Sequence, residues 1–189
     1  MSSQPHQPCS TGLTWLALVA ALVVSAGSLW LSLKMELIAC PLCFYQRTFA
    51  FGAAAVLLLG LLTGAGERTA LGLLALPLAA GGIGVAGFHV WLEWTEVLEC
   101  PKGIIDMGTA PQQSLAAFAV LLAILLADVF VNREAICCGW FAAVIALALG
   151  GGCAYGCIVS GPPLPPKPDK PYDPDKKINT CRRPFKAPS

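Results

Sequence analysis

The chain has 189 residues, of which 56% are hydrophobic and 12% are charged, and its formal net charge is +1. The apolar excess is beyond that of an ordinary soluble domain and predicts a protein embedded in lipid. A net charge this close to zero has neither the basic balance suited to nucleic acid nor the acidic balance suited to cationic partners. We therefore expect membrane lipid as the environment and no nucleic-acid partner.

Five apolar segments have about the length needed to cross the hydrocarbon layer of a bilayer. In chain order they are residues 14–33, 48–65, 70–92, 114–131 and 139–160. The first lacks the charged leader and the cleavage site of a signal peptide, so we interpret it as a retained helix. The predicted organisation is a cytoplasmic N-terminal tail (1–13), a transmembrane helical domain (14–160) and a proline-rich periplasmic tail (161–189).

Nine cysteines are many for a reducing compartment unless they bind metal or perform redox chemistry. With five spans and a cytoplasmic N-terminus, four of them share the outer, oxidising face: Cys40, Cys43, Cys100 and Cys181. Three others fall on the inner side: Cys9, Cys137 and Cys138. The positive-inside rule does not support this orientation, because the predicted inner loops carry only Arg68 and Arg133 whereas the tail carries several lysines. The orientation therefore rests on the cysteine chemistry.

The motif Cys40-Pro41-Leu42-Cys43 directly precedes the second apolar segment. Pro41 suits the first turn of a helix, which would place both cysteines at a helix N-terminus, where the dipole lowers a thiol pKa. Arg47 lies one turn after Cys43 on the same predicted face, and its cation could stabilise a thiolate or donate to a quinone carbonyl. A CxxC motif also occurs in zinc sites, but these usually need a second closely spaced pair, so redox exchange is favoured.

The run CPLCFYQR resembles the CxxCxxxR region of the DsbB family of disulfide bond formation proteins. His89, near the outer end of the third span, and the segment WLEWTEVLECPKGIIDMGTAPQQSL, which is similar to the second periplasmic loop of that family, extend the resemblance over roughly residues 10–131. The resemblance implies an all-α membrane protein with a four-helix transmembrane bundle in the bacterial inner membrane. It also implies ubiquinone or menaquinone as cofactor and a periplasmic thioredoxin-fold, DsbA-like protein as partner.

The same resemblance implies the roles of individual residues. Cys43 would face the quinone with Cys40 as its disulfide partner, and Cys100 would receive the attack of the soluble partner. Arg47 would lie by the quinone ring, and Gln46 and His89 complete the predicted cofactor site, with no metal site expected.

One departure from the family pattern concerns the loop between the third and fourth spans, which has one cysteine where familiar members have two. The predicted fifth span would bring the extended C-terminal tail to the same face, and Cys181 is the only cysteine in that tail. We therefore predict that Cys100 and Cys181 form the second pair, with the tail acting as an extended, solvated tether. A disordered tail with an incidental cysteine is the alternative.

The expected function is thus a quinone-dependent thiol oxidase that reoxidises the DsbA-like partner. A soft-metal transporter for mercury or copper is the alternative, since Cys153 and Cys157 lie one turn apart in the fifth span, although buried thiols commonly act as small hydrophobes. A reductase similar to the vitamin K epoxide reductase family is less favoured, because its CxxC lies on a late helix. Asp128, near an inner helix end, is predicted to be structural.

Overall fold

The computed structural model describes residues 11–65, 71–105, 107–132, 139–173 and 176–185. Within these ranges the regular structure consists of helices α1 (Gly12–Leu33), α2 (Pro41–Leu62), α3 (Leu71–Trp94), α4 (Ala110–Val131) and α5 (Gly139–Val159). Each helix is long and apolar enough to cross a membrane. The prediction of an all-α, multi-pass membrane protein with five spans is confirmed.

Two helices begin a full turn or more before the apolar segments predicted for them. Helix α2 begins at Pro41 rather than near residue 48, and α4 begins at Ala110 rather than near residue 114. Both have a proline in the first turn, where its missing N–H costs nothing. Apolar runs alone mark the predicted spans, and polar residues separate these runs from the true helix starts, namely Gln46 and Arg47 in α2 and Gln112 and Gln113 in α4.

Helices α1 to α4 form a four-helix bundle in which α1 contacts α2 and α4, and α3 contacts α2 and α4. Helix α5 lies outside this ring and packs against α3. Two glycines of α3 permit close packing, since a Cβ at Gly81 or Gly82 would overlap the ring of Phe49 or Phe118 respectively. Small residues thus let large rings lie directly against the α3 backbone.

The chain direction places the ends of α1, α3 and α5 and the starts of α2 and α4 at one end of the bundle. A hydrophobic cluster separate from the main core of the bundle lies there, formed by Leu92, Leu98, Cys100 and Cys181, with Leu164 packed against it. The described part of the tail contains no helix and no strand apart from an isolated bridge between Arg182 and Glu99. The prediction that the tail is solvated rather than packed is wrong for Leu164 and Cys181. The disulfide described below holds Cys181 in this cluster, where its apolar surface is removed from water.

Asp128 lies at the opposite end of the bundle and is fully buried. Its carboxylate accepts hydrogen bonds from the Thr14 hydroxyl at 3.0 Å, the Gly72 backbone N–H at 3.1 Å and the Asn132 side-chain amide at 3.3 Å. These bonds join α1, α3 and α4, and the bond to Gly72 satisfies an N–H that the first turn of α3 leaves free. The contacts agree with the predicted structural role of Asp128.

We expect Asp128→Ala to lower the free energy of unfolding in detergent by about 2 kcal/mol, because three buried donors lose their acceptor. Thr14→Ala removes one of the three bonds and should cost less than half as much. Denaturant titration followed by circular dichroism measures both. Equal midpoints for wild type and Asp128→Ala would contradict a structural role for the carboxylate.

Candidate redox site

The CPLC motif starts helix α2 as the sequence predicts. Cys40 is the N-cap residue with an extended backbone, Pro41 is the first helical residue, and the Cys43 backbone N–H donates to the Cys40 sulfur at 3.4 Å. The two sulfurs lie 2.9 Å apart as free thiols. A disulfide of about 2.05 Å requires only a small further approach, so this pair can alternate between dithiol and disulfide.

The pKa of Cys40 is lowered from its ordinary value. The main cause is the hydrogen bond from the Cys43 thiol, and contacts with His89 and with the Cys43 backbone N–H lower it further, whereas burial opposes them. A thiolate on Cys40 is therefore favoured when the pair is reduced. The predicted effect of a helix N-terminus on this motif thus acts on the first cysteine through specific hydrogen bonds.

Arg47 lies one turn beyond Cys43 and is held by the neighbouring helix α1. Its guanidinium donates to the Ser28 hydroxyl at 3.0 Å, to the Ser28 carbonyl at 2.9 Å and to the Ser32 hydroxyl at 2.8 Å. Ser28 and Ser32 were not identified from the sequence. Their spacing of one turn in a mostly apolar helix is the signal that would have found them, since paired hydroxyls in a span often bind a polar side chain.

A cavity of about 320 Å³ opens beside the second cysteine of the motif. Cys43, Gln46 and Arg47, three of the predicted cofactor residues, line it, and the remaining wall is largely apolar. The apolar part includes Val23, Val24, Leu31, Ile104, Ile105, Ala117 and Phe118. An apolar cavity with a few hydrogen-bond donors at one side fits a planar, conjugated ring bearing carbonyl oxygens.

Cys100 and Cys181 are joined by a disulfide, which confirms the predicted pairing. Around it, Glu99 and Arg182 exchange two backbone hydrogen bonds of 2.7 and 3.0 Å, and their side chains form a salt bridge at 3.3 Å. The Arg182 guanidinium also lies over the Tyr172 ring at 3.7 Å. Several contacts besides the disulfide therefore hold the loop and the tail together, and both cysteines are buried.

His89 is fully buried between the two cysteine pairs. Its Nε2 atom lies 3.9 Å from the Cys40 sulfur, 3.4 Å from the Cys100 sulfur and 3.3 Å from the Cys181 sulfur. It is absent from the lining of the 320 Å³ cavity, because Gln46 lies between, with its amide nitrogen 3.4 Å from His89 Nδ1. The structure thus groups His89 with the sulfurs, whereas the sequence grouped it with the quinone site.

A second cavity, of about 280 Å³, lies on the other side of the motif. Cys40 and Cys181 both line it, as do Tyr45, Phe88 and the tail residues Pro162 to Pro165. Cys181 also borders the first cavity, whereas Cys100 lines neither. One cysteine of each pair is therefore reached from the second cavity, which the sequence gave no means of predicting.

Two groups of donors in the described residues could hold a soft metal ion, namely Cys40, Cys43 and His89, and His89, Cys100 and Cys181. Both depend on the same imidazole nitrogen, and the disulfide occupies two donors of the second group. The first group keeps the soft-metal alternative open for the reduced protein.

The remaining cysteines lie away from this site or outside the description. Cys153 is exposed on α5 and Cys157 is half-buried one turn later. Cys9, Cys137 and Cys138, predicted on the inner side, lie outside the described residues.

The comparisons with known proteins agree on one family. The family model for "Disulfide bond formation protein DsbB" matches residues 10–117. "Disulfide bond formation protein B" of Xanthomonas campestris is 42% identical over 82 residues, which are 41% of this chain and 47% of the relative. "Disulfide bond formation protein B 1" of Pseudomonas aeruginosa is 34% identical over 88 residues, 46% of this chain and 54% of the relative. The chain spans about half the length of the curated relatives it matches, and no solved structure matches it.

Proposed function

Since the chain belongs to the DsbB family of disulfide bond formation proteins, we propose that it is a thiol oxidase of the bacterial inner membrane that reoxidises a periplasmic DsbA-like protein and passes the electrons to quinone. The observation that carries the proposal is the convergence of two cysteine pairs, one beside an apolar cavity that also contains Arg47. Membership of this family supports disulfide formation, and the spanning helices support a place in the membrane.

The orientation belongs to the same proposal. Residues 1–13 are cytoplasmic and residues 161–189 are periplasmic, so both cysteine pairs face the oxidising compartment, where protein disulfides persist. The common location of the pairs at one end of the bundle supports this assignment, because any other arrangement would place both pairs in the reducing cytoplasm.

The electron path runs through thiol–disulfide exchange. A thiolate of the reduced partner attacks the Cys100–Cys181 disulfide, and the partner leaves oxidised while this pair becomes a dithiol. The new dithiol then reduces the Cys40–Cys43 disulfide and is itself reoxidised. The resemblance assigns the partner's attack to Cys100, and Cys181, which borders both cavities, is the alternative target.

The residues of the 320 Å³ cavity fit a quinone head group. Arg47 and Gln46 provide donors for a carbonyl oxygen, the apolar wall excludes water, and the Cys43 sulfur lines the same space. Bound ubiquinone or menaquinone would supply an acceptor for two electrons and two protons. Ser28 and Ser32 hold Arg47 in position, so its guanidinium group is preorganised rather than free to rotate.

The test is quinone reduction by the detergent-purified protein, with a reduced DsbA-like protein as electron donor. We expect quinol to form with ubiquinone or menaquinone at a rate that depends on the protein concentration. If neither quinone is reduced and the reduced protein binds copper(I) or mercury(II) tightly, the soft-metal alternative replaces the oxidase.

Substitution of Arg47 tests the cavity independently. We expect Arg47→Lys to raise the KM for quinone by about tenfold, because lysine keeps the charge but loses the rigid pair of donors. Arg47→Gln, which loses the charge as well, should raise it further, and Lys34→Arg outside the cavity serves as the control. An unchanged KM in both Arg47 variants would place the quinone elsewhere.

A further inference from the structure

His89 joins segments that are far apart in the chain. The sulfurs around its Nε2 atom come from the start of α2, from the loop after α3 and from the C-terminal tail, at 3.9, 3.4 and 3.3 Å. Its side chain is completely buried, so water does not compete for this nitrogen. One imidazole nitrogen therefore serves both cysteine pairs.

A chain of hydrogen bonds sets the position of the proton on His89. The Ser114 hydroxyl donates to Gln46 Oε1 at 2.6 Å, which leaves the Gln46 amide nitrogen directed at His89 Nδ1 at 3.4 Å. An amide nitrogen can only donate, so Nδ1 accepts and the proton of the neutral ring lies on Nε2. The N–H of His89 consequently points toward the sulfurs.

The surroundings of the ring make this donor significant. The titratable groups grouped with His89 are Cys40 and Cys43 and, once reduced, Cys100 and Cys181. The nearby cation, Arg47, is bound to Ser28 and Ser32 and lines the cavity beside Cys43. Among the described residues, His89 is the only one whose side-chain N–H lies within hydrogen-bond distance of the Cys100 or Cys181 sulfur.

We propose that His89 is a shared hydrogen-bond donor that stabilises the thiolates formed when the two cysteine pairs exchange their disulfide. The inference rests on the proposed function only in that the pairs exchange during turnover. Ser114 and Gln46 are positioning residues, since they act by fixing the proton on His89 Nε2.

The four sulfurs carry one negative charge in total at every step of the exchange. A thiolate on Cys181 attacks the Cys40 sulfur, so a Cys181–Cys40 bond forms, the Cys40–Cys43 bond breaks, and Cys43 leaves as a thiolate. One proton passes from Cys100 to Cys43, and the Cys100 thiolate then attacks Cys181 and releases Cys40. Two electrons have moved, and the product has the Cys100–Cys181 disulfide, a Cys43 thiol and a Cys40 thiolate. His89 faces the charged sulfur at the beginning and at the end of this sequence.

The product state matches the bonding in the structure. The Cys100–Cys181 disulfide is formed, the other two sulfurs are free, and the Cys43 thiol lies at hydrogen-bond distance from Cys40. His89 lies 3.9 Å from the Cys40 sulfur, and neither residue lines the first cavity.

The test is the pH dependence of alkylation of each cysteine in the fully reduced protein, without quinone or partner, followed by mass spectrometry. In His89→Ala we expect the alkylation midpoints of Cys40, Cys100 and Cys181 to rise by about one pH unit, a tenfold loss of thiolate below the midpoint. Cys153 and Cys157 are internal controls and should not change. His89→Gln, which retains an N–H donor, should recover part of the shift.

Two further variants keep the test informative even if the His89 variants fail to fold. Gln46→Leu and Ser114→Ala leave His89 in place but remove the bonds that fix its proton, so they should give smaller shifts at the same three cysteines. Unchanged midpoints in the His89 and Gln46 variants, or equal shifts at all five cysteines, would overturn the inference. Because the measurement needs no turnover, an inactive oxidase with these selective shifts would contradict only the proposed function.

Discussion

Cys43→Ser is expected to abolish quinone reduction, whether the electrons come from a protein dithiol or from dithiothreitol. Cys43 is the only cysteine of the first pair that lines the 320 Å³ cavity, and a serine hydroxyl at this position can neither form a disulfide nor carry the electrons. Quinol formation followed by absorbance measures the effect. We expect the rate to fall to that of quinone without protein.

The same variant should contain a fraction of a mixed disulfide. The Cys40 thiolate can attack the Cys100–Cys181 disulfide, which forms a Cys40–Cys181 bond and releases Cys100 as a thiolate, and only the reverse attack by Cys100 removes that bond, so non-reducing peptide mapping should detect it. Cys153→Ser is the matched control, because this exposed thiol on α5 lies outside both cavities and should leave the rate unchanged. Residual turnover in Cys43→Ser above background would show that electrons leave by another cysteine.

The sequence was sufficient to predict those parts of the site that depend on local spacing. Pro41 fixes the helix start, so the positions of Cys40, Cys43 and Arg47 relative to one another follow from helix geometry. The Cys100–Cys181 pairing followed from topology, because five spans bring the loop and the tail to one face. The first inference needed only the period of a helix, whereas the second also needed the family resemblance, which implies a second cysteine pair on that face.

The contacts of His89 were beyond the reach of the same reasoning. They join residues that are 43, 49 and 92 positions apart, so they depend on the rotation of α3 relative to α2 and on the path of the tail. The sequence placed His89 near the correct end of the bundle, but helix rotation decides whether it faces a cavity or a sulfur. Packing of the whole bundle determines that rotation.

Helix α5 has a clear structural consequence for the redox site. It packs against α3 outside the four-helix bundle and directs the tail over the CPLC motif, where Pro162 to Pro165 line the second cavity. Prolines restrict the tail to extended conformations, which lowers the entropy lost when Cys181 meets Cys100. A chain with a single loop cysteine thereby obtains its second pair from a separate segment.

Cys181→Ser is expected to lose quinone reduction with the DsbA-like protein as electron donor but to keep it with dithiothreitol. Reduction of quinone by the DsbA-like protein should fall to background, because the loop pair that accepts the partner's electrons no longer exists. Reduction driven by dithiothreitol should persist, since a small dithiol can reach Cys40 through the 280 Å³ cavity and Cys43 remains beside the other cavity. Parallel assays with the two donors measure the difference.

Cys100→Ser provides the matched variant and also identifies the attacked sulfur. Both single variants should lose turnover with the reduced protein donor. When the oxidised DsbA-like protein is added instead, the thiolate of the variant that keeps the attacked cysteine should attack the partner's disulfide, so that a mixed disulfide forms and the partner's other sulfur leaves as a thiolate. A trap on Cys100 would support the assignment from the family resemblance, and a trap on Cys181 would support the access seen from the second cavity. If Cys181→Ser instead retained full turnover with the protein donor, the tail cysteine would be dispensable. Cys100 would then have to pass the partner's electrons directly to Cys40, and the Nε2 atom of His89 contacts both of these sulfurs.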